Sequence, residues 1–316
     1  MTAAATRDAV DGVLLLNKPR GLTSQQAVVR AKRLFWARKA GHTGTLDPLA
    51  DGLLPIGFGE ATKFSQFLLD ADKGYLATLR LGTVTATGDA EGDVIQQRPV
   101  AVTLSQVTVA LQAFVGPLQQ TPPMHAAIKV RGKPLYAYAR AGETVAREPR
   151  QVTINSIQLI DFIEKTLTLR ISCSKGTYIR VLAEDIGAAL GCGAHLTALT
   201  REQAGEFALA DAVSIDDLEG MAMPQRRERL QPPETFASGL TRLDVAANDE
   251  RRLISGQRVD LGPTAIPGLC RLYGSEGVFF GIGEVNAGLL AARRLVSQLQ
   301  GEVSGQNGLS NPVVTG

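Results

Sequence analysis

Apolar residues change their spacing several times along this chain, and each change predicts an element. Residues 12–17 form a short run of Val and Leu, which predicts a strand. Ala27, Val28, Ala31, Leu34 and Phe35 then recur at helical spacing behind a Thr23 or Ser24 cap, with basic side chains on the opposite face. Residues 60–69 read as helical. Tyr75, Ala77, Leu79 and Leu81 alternate with Leu76, Thr78 and Arg80, which predicts a strand opened by Tyr75. Residues 82–92 hold Gly, Thr, Ala and Asp with few large apolar groups and read as an exposed connection. Thr103 then caps a helix through Leu104, Val107, Leu111 and Phe114 that stops before Gly116-Pro117.

The stretch 117–150 carries five prolines among basic and aromatic residues, and its composition suits an excursion from the sheet. Residues 152–162 and 167–173 read as paired strands, and the period then lengthens. Tyr178, Ile179, Leu182, Ala183, Ile186, Ala189 and Leu190 form a helical stripe ended by Gly191, which puts Arg180 in the first turn. Strands followed by a helix that packs on them indicate an α+β domain over 1–245. A loop or linker falls between Gly220 and Gly239. Short strands separated by glycine turns predict a small β-barrel-like module over 246–300, and the Gly, Ser and Asn rich residues 301–316 predict a disordered tail. No internal repeat is visible.

Length and composition add limits. A chain of 316 residues, 44% hydrophobic and 20% charged, is an ordinary globular protein long enough for a large domain and a small one. The early apolar run Val13-Leu14-Leu15-Leu16 is too short for a signal peptide or membrane span, so a cytoplasmic protein is expected. Cys173, Cys192 and Cys270 are odd in number and far apart, which indicates core residues rather than a disulfide framework or zinc site. The net charge of +2 says little, but its distribution says more. Between Asp11 and Asp47 lie Lys18, Arg20, Arg30, Lys32, Arg33, Arg38 and Lys39 with no acid among them, and Lys129, Arg131 and Lys133 form a second cluster beside His125. A solvated helix face would explain one such segment; two favour a polyanionic partner.

Candidate chemistry begins with Asp47. It sits in Gly41-His42-Thr43-Gly44-Thr45-Leu46-Asp47, where glycines let backbone approach a ligand and Pro48 biases Asp47 toward an extended, presented conformation. An Asp before Pro is also a common turn former. Phosphate-binding, dinucleotide, zinc-protease and serine-hydrolase signatures are absent, and three scattered histidines do not suggest a metal site. Tyr75, Tyr178 and Arg180 are the candidate partners: an arginine steadies an ionised carboxylate, and tyrosines offer a stacking ring with a hydroxyl.

Four runs carry a resemblance to a known family. Gly41 to Ala50, Gly57-Phe58-Gly59-Glu60-Ala61-Thr62-Lys63-Phe64, Lys73-Gly74-Tyr75 and Cys173-Ser174-Lys175-Gly176-Thr177-Tyr178-Ile179-Arg180 resemble, in order and spacing, the bacterial tRNA pseudouridine-55 synthases of the TruB family. Leu14-Leu15-Leu16-Asn17-Lys18-Pro19 and Ala291-Ala292-Arg293-Arg294-Leu295-Val296 also look like that family's ends. The resemblance implies a mixed, mainly antiparallel sheet with flanking helices, the pseudouridine synthase fold, followed by a PUA-like RNA-binding module. It implies isomerisation of the T-arm uridine at position 55 of tRNA by base flipping, without cofactor; a monomer without metal, obligatory protein partner or membrane is the default expectation. Asp47 would be the catalytic carboxylate, acting on base or sugar; Tyr75 would stack on the flipped base and assist proton transfer; Arg180 would pair with Asp47. Tyr178 and Leu199 would close the pocket, and His42 would contact RNA where the uridine has left its stack. Lys18, Arg20, Lys63, Lys129, Arg131 and Lys133 are the expected phosphate contacts. Thr45 stands where family members often carry Ala. Two rival classes are a non-catalytic RNA-binding protein, which needs no reactive Asp, and a glycosidase, which needs a second carboxylate that the sequence does not offer near Asp47.

Overall fold

The structure is a computed structural model describing residues 10–126 and 128–297, without the side chain of Tyr136. The tail expected over 301–316 lies outside the described residues. Among those residues an eleven-stranded sheet runs in the order Val213–Ser214, Gly12–Lys18, Ala50–Phe58, Ala194–Ala204, Lys73–Leu81, Thr166–Cys173, Arg150–Ile163 and Gly116–Gln120, with three short strands off this path. Pairing is antiparallel except where Ala194–Ala204 meets Ala50–Phe58 and Gly12–Lys18 meets Val213–Ser214. A mixed, mainly antiparallel α+β architecture results.

Two of its innermost strands had no clear periodic signature. Ala50–Phe58 is buried at every position except Asp51, so it reads as a continuous apolar run interrupted by Pro55 and Gly57. Ala194–Ala204 is rich in Ala, Leu, Thr, Arg, Glu and Gln, a composition without strand preference that tertiary pairing overrides. Their close approach depends on Gly52, whose φ is +94° and whose Cβ, if added, would lie 2.5 Å from the Arg201 carbonyl oxygen. The helix Ser24–Leu34 buries Ala27, Val28 and Ala31 on the sheet, and Ile179–Ala189 buries Ile179, Leu182, Ala183 and Ile186 there. Their apolar stripes join the same core cluster as Leu54, Leu79 and Leu169.

Several expectations change in detail. The helical stretch near 60–69 is a 3-10 turn over Gly59–Lys63 followed by a short helix, Ser65–Leu69. The stretch 82–92 is not simply an exposed connection. Thr85 and Asp89 are buried, and backbone bonds between Leu196 and both Gly88 and Ala90 dock it on the sheet. The excursion begins later than 117, because Gly116–Gln120 pairs with Arg150–Ile163 at the sheet edge, the position that tolerates Pro117. Within 220–239 the chain is not a free linker, since Phe236 and Ala237 are buried in a second core cluster.

The C-terminal module is a five-stranded sheet in the order Thr241–Asp244, Gly268–Tyr273, Phe279–Asn286, Leu289–Leu295 and Val259–Asp260, packed with the helix Ala247–Ile254. Thr241–Asp244 pairs with Gly268–Tyr273, which moves the boundary from 245 to before Thr241. Phe279 and Tyr273 of this module pack with Phe64 and Phe207 of the large domain in one cluster, with Phe64 and Phe279 edge to face at 5.2 Å.

Candidate active site

The loop that presents Asp47 is anchored by the helix beside it. Thr23 caps that helix through a capping box with Gln26, which leaves Ser24 free for another task. The buried Ser24 hydroxyl accepts a hydrogen bond from the Leu46 amide at 2.7 Å and donates to the Leu46 carbonyl at 2.9 Å. On the other side Gly21 N–H donates to the Pro48 carbonyl, and Ala50 N–H donates to the Asp47 carbonyl, closing a turn with Pro48 inside it. Gly44 has a φ of +140°, a conformation suited to glycine, whereas Gly41 has open space and no such constraint.

Asp47 faces a guanidinium held from several directions. Arg180 Nη2 lies 3.1 Å from Asp47 Oδ2 and donates to the His125 carbonyl, while Nη1 lies 3.5 Å from Asp89 Oδ2 and donates to the Thr87 carbonyl. Arg180 is 5% exposed and Asp89 3%, so both carboxylates share one buried cation. Asp89 is fixed in turn by the Thr87 hydroxyl and the Glu91 amide. Burial raises the Asp47 pKa above its ordinary value, with Asp89 adding to the rise and Arg180 opposing it.

Opposite this pair the sheet supplies an aromatic group. Tyr75 pairs across the strands with Arg201 on one side and Ile171 on the other. Burial raises the Tyr75 pKa above its ordinary value, and the positive charge of the neighbouring Arg201 guanidinium opposes that rise. Arg201, 2% exposed, donates from Nε to the Leu53 carbonyl and from Nη2 to the Gly44 carbonyl, so it ties the Asp47 loop to the central strand. Among the described residues no carboxylate pairs with it. Asp47, Tyr75, Tyr178, Arg180, Leu199 and Arg201 line one cavity of about 340 Å³. Tyr178 is the N-cap of the Ile179–Ala189 helix; its amide donates to Gln120 Oε1, and its carbonyl accepts from Gln120 Nε2. A carboxylate steadied by arginine beside a protonated phenol can act on a planar, uncharged ring as nucleophile and proton carrier.

Three family models span most of the chain. The TruB family pseudouridylate synthase N-terminal domain matches residues 32–179, the tRNA pseudouridylate synthase B C-terminal domain 180–237, and the pseudouridine synthase II TruB C-terminal domain 242–296. The chain belongs to the TruB family. The tRNA pseudouridine synthase B of Ralstonia nicotianae is 52% identical over 304 residues, covering 93% of this chain and 96% of that one. That of Burkholderia mallei is 51% identical over 296 residues, covering 92% and 98%. This TruB-family chain is therefore a tRNA pseudouridine synthase, an isomerase that converts uridine to pseudouridine. A chain of the archaeal box H/ACA sRNP Nop10–Cbf5 complex shares the fold, with a TM-score of 0.68 at 23% identity over 91% of this chain and 86% of that one.

Within the TruB-family site, the expected phosphate contacts separate into groups. Lys18 is fully buried, donates to the Leu22 carbonyl at 2.6 Å and to the Pro19 carbonyl, and burial pushes its pKa down to about 8; it holds a turn and does not face a ligand. Lys63 pairs with Glu60 at 2.8 Å and donates to the Leu295 carbonyl and Ser297 hydroxyl, which makes it a clasp to the C-terminal module. Arg20 is exposed and donates to the Thr197 carbonyl. Lys129 and Arg131 are exposed near a two-stranded excursion whose preceding residues Ala126 and Ile128 line the cavity, and Lys133 lies over the Tyr138 ring. His42 accepts a hydrogen bond from the Gly44 amide and does not line the cavity; burial and Arg201 lower its pKa.

Asp89, Arg201, Ser24 and Gln120 escaped sequence reasoning. A basic residue two positions after Leu199 in a strand was the available signal for Arg201, and it required that strand to be recognised. Asp89 had only a glycine-rich surrounding. It is the second acid that seemed absent near Asp47, although Arg180 stands between them. Among the described residues no group of three His, Cys, Asp or Glu side chains gathers as a metal site, and no helix is long and apolar enough to cross a membrane.

Proposed function

We propose that this isomerase acts on the T-arm uridine at position 55 of tRNA, which it extrudes from the RNA loop into the Asp47 cavity. The observation that carries the reading is the 3.1 Å pairing of Asp47 with Arg180 in the cavity that Tyr75 also lines. The bond from uracil N1 to ribose C1′ breaks, the base turns, a bond from C5 to C1′ forms, and the C5 proton leaves as N1 regains one. Nothing is oxidised, and the residues named suffice for the proton traffic. Asp47 acts as the ionised nucleophile on base or sugar, Arg180 holds it in place, and the Tyr75 ring stacks on the base while its hydroxyl relays a proton. Tyr178 and Leu199 close the pocket. Arg20, Lys129 and Arg131 contact phosphates, the C-terminal module is PUA-like and touches the tRNA away from the uridine, and the enzyme works as a cytoplasmic monomer.

Tritium release from C5-labelled uridine in a T-arm transcript tests the reaction, and chromatographic mapping of pseudouridine in full-length tRNA tests the position. Asp47→Asn should reduce release by at least about 100-fold. Unaltered release in that variant would remove Asp47 from the chemistry. Free uracil among the products would instead indicate hydrolysis, with Asp89 as the second acid.

A further inference from the structure

The helix Ser24–Leu34 ends in a feature that the fold does not explain. Phe35 is its C-cap, the Trp36 amide donates to the Arg33 carbonyl, and the Ala37 amide donates to the Lys32 carbonyl, which is the paired pattern that favours glycine after a helix. The residue there is Trp36, with a φ of +53°. A bulky side chain in the left-handed region is strained, and this one recovers little by burial, because 54% of it is exposed. Strain kept for an exposed ring points to a partner for the ring.

The surroundings say what that partner is. Trp36 shares a cavity of about 480 Å³ with Val29, Lys32 and Arg33, and a neighbouring one of about 320 Å³ continues along the helix past Arg30 toward Gln25. Arg30, Lys32 and Arg33 make no ion pair among the described residues, and no acid occurs in the sequence between Asp11 and Asp47. The adjacent helix Ile215–Gly220 carries Asp216, Asp217 and Glu219, none of which pairs with these cations, and Asp217 accepts from the Ser214 hydroxyl. Aromatic face with flanking guanidinium groups is the combination that holds a nucleotide, by stacking on the base and pairing with phosphate. The helix starts where Ser24 grips Leu46 beside Asp47 and runs about 16 Å away from it, while the Phe35 ring reaches Phe58 at the far end of the Ala50–Phe58 strand.

We infer that Trp36, with Arg30 and Arg33, forms a second RNA contact that stacks a nucleotide of the substrate tRNA outside the reacting uridine. The inference rests on tRNA being the substrate. It extends the RNA path along the first helix, away from the excursion at Lys129 and from the C-terminal module.

Trp36 is the single tryptophan of the chain, so its emission reads this surface directly. Titrating the full chain with tRNA transcript should change that emission saturably, and more weakly as salt rises. A change already complete with an isolated T-arm stem-loop would place the nucleotide in that arm; a change that requires full-length tRNA would place it elsewhere in the molecule, and both support the contact. Trp36→Gly should raise the melting temperature by relieving the strained φ, yet weaken tRNA binding about fivefold to tenfold; Trp36→Phe should restore most of the affinity. Arg30→Glu with Arg33→Glu should weaken binding as well, with turnover at saturating RNA unchanged in all these variants. Constant emission at RNA concentrations that saturate turnover, or wild-type affinity in Trp36→Gly, overturns the inference. A dimer that dissociates on Trp36→Gly assigns the face to a second copy and overturns it too. Absence of turnover in the wild-type chain is a separate result, which removes the tRNA reading itself.

Discussion

At the scale of single residues, the site is a balance between burial and charge around Asp47. Desolvation raises its pKa, and the Arg180 guanidinium limits the rise. An acid whose folded-state pKa is raised holds its proton more tightly in the folded protein, so wild type loses stability as pH climbs from the ordinary value of 3.8 through the raised one. Asp47→Asn removes that loss. Its stability relative to wild type should therefore grow between about pH 4 and about pH 7, as read by denaturant titration at both; a constant difference contradicts the burial account. Asp89 acts on the same carboxylate from behind Arg180, and its like charge contributes to the rise. In Asp89→Asn the acid limb of the kcat profile should move to lower pH, with KM little changed; an unmoved limb would mean that the two acids do not communicate through Arg180.

At the scale of elements, the Asp47 loop is positioned by contacts to its backbone more than by its own sequence. Ser24 satisfies both the amide and the carbonyl of Leu46 from the first turn of a neighbouring helix. Replacing it with Ala leaves a buried amide without its partner, at a cost of about 1–3 kcal/mol, and frees the loop next to Asp47. Ser24→Ala should thus lose stability by urea titration and lose kcat more than RNA affinity; an effect on stability alone would make the contact purely structural. The strand Ala194–Ala204 plays the corresponding part on the other side. It delivers Leu199 to the cavity and Arg201 to Tyr75, Leu53 and Gly44. Elements with regular apolar spacing were legible in the sequence, as 75–81, 167–173 and the helix after Tyr178 illustrate, and so was the compact apolar run 12–17. Ala50–Phe58 and Ala194–Ala204 were not, because a run broken by glycine and proline and a mixed polar one carry no period-two signal.

At the scale of the whole molecule, the two sheets are joined by packed aromatics and not by a free linker. Phe279 is 9% exposed and touches Phe64 and Tyr273, and Lys63 adds bonds to Leu295 and Ser297. The C-terminal module is therefore held in a fixed place relative to the cavity. Phe279→Ala should cost about 3–5 kcal/mol and uncouple the modules. Calorimetry should show one transition in wild type and two in the variant; a single transition with a merely lower midpoint would show that other contacts suffice. The pI near 8.4 hides this molecule's charge asymmetry, since Lys18 and Lys63 are used internally while Lys129, Arg131, Arg30 and Arg33 face outward.

The sequence by itself determined the class of fold and the family, and local motifs proposed Asp47, Tyr75, Tyr178 and Arg180 while the family resemblance added Leu199, because such motifs record which chemical groups a site must contain. Their meeting was a tertiary event. Asp47, Tyr75 and Arg180 come from a loop, a strand and a helix separated by up to 133 positions, and one cavity gathers them only when Ala50–Phe58, Ala194–Ala204 and Lys73–Leu81 lie side by side. Tertiary structure also decided which cations are available. Lys18 and Arg20 are two residues apart in the chain, yet one is sealed inside and the other exposed, since burial depends on what packs above a side chain and not on its sequence neighbours. For the same reason Asp89 and Arg201, ordinary in sequence, became the groups that hold the site together.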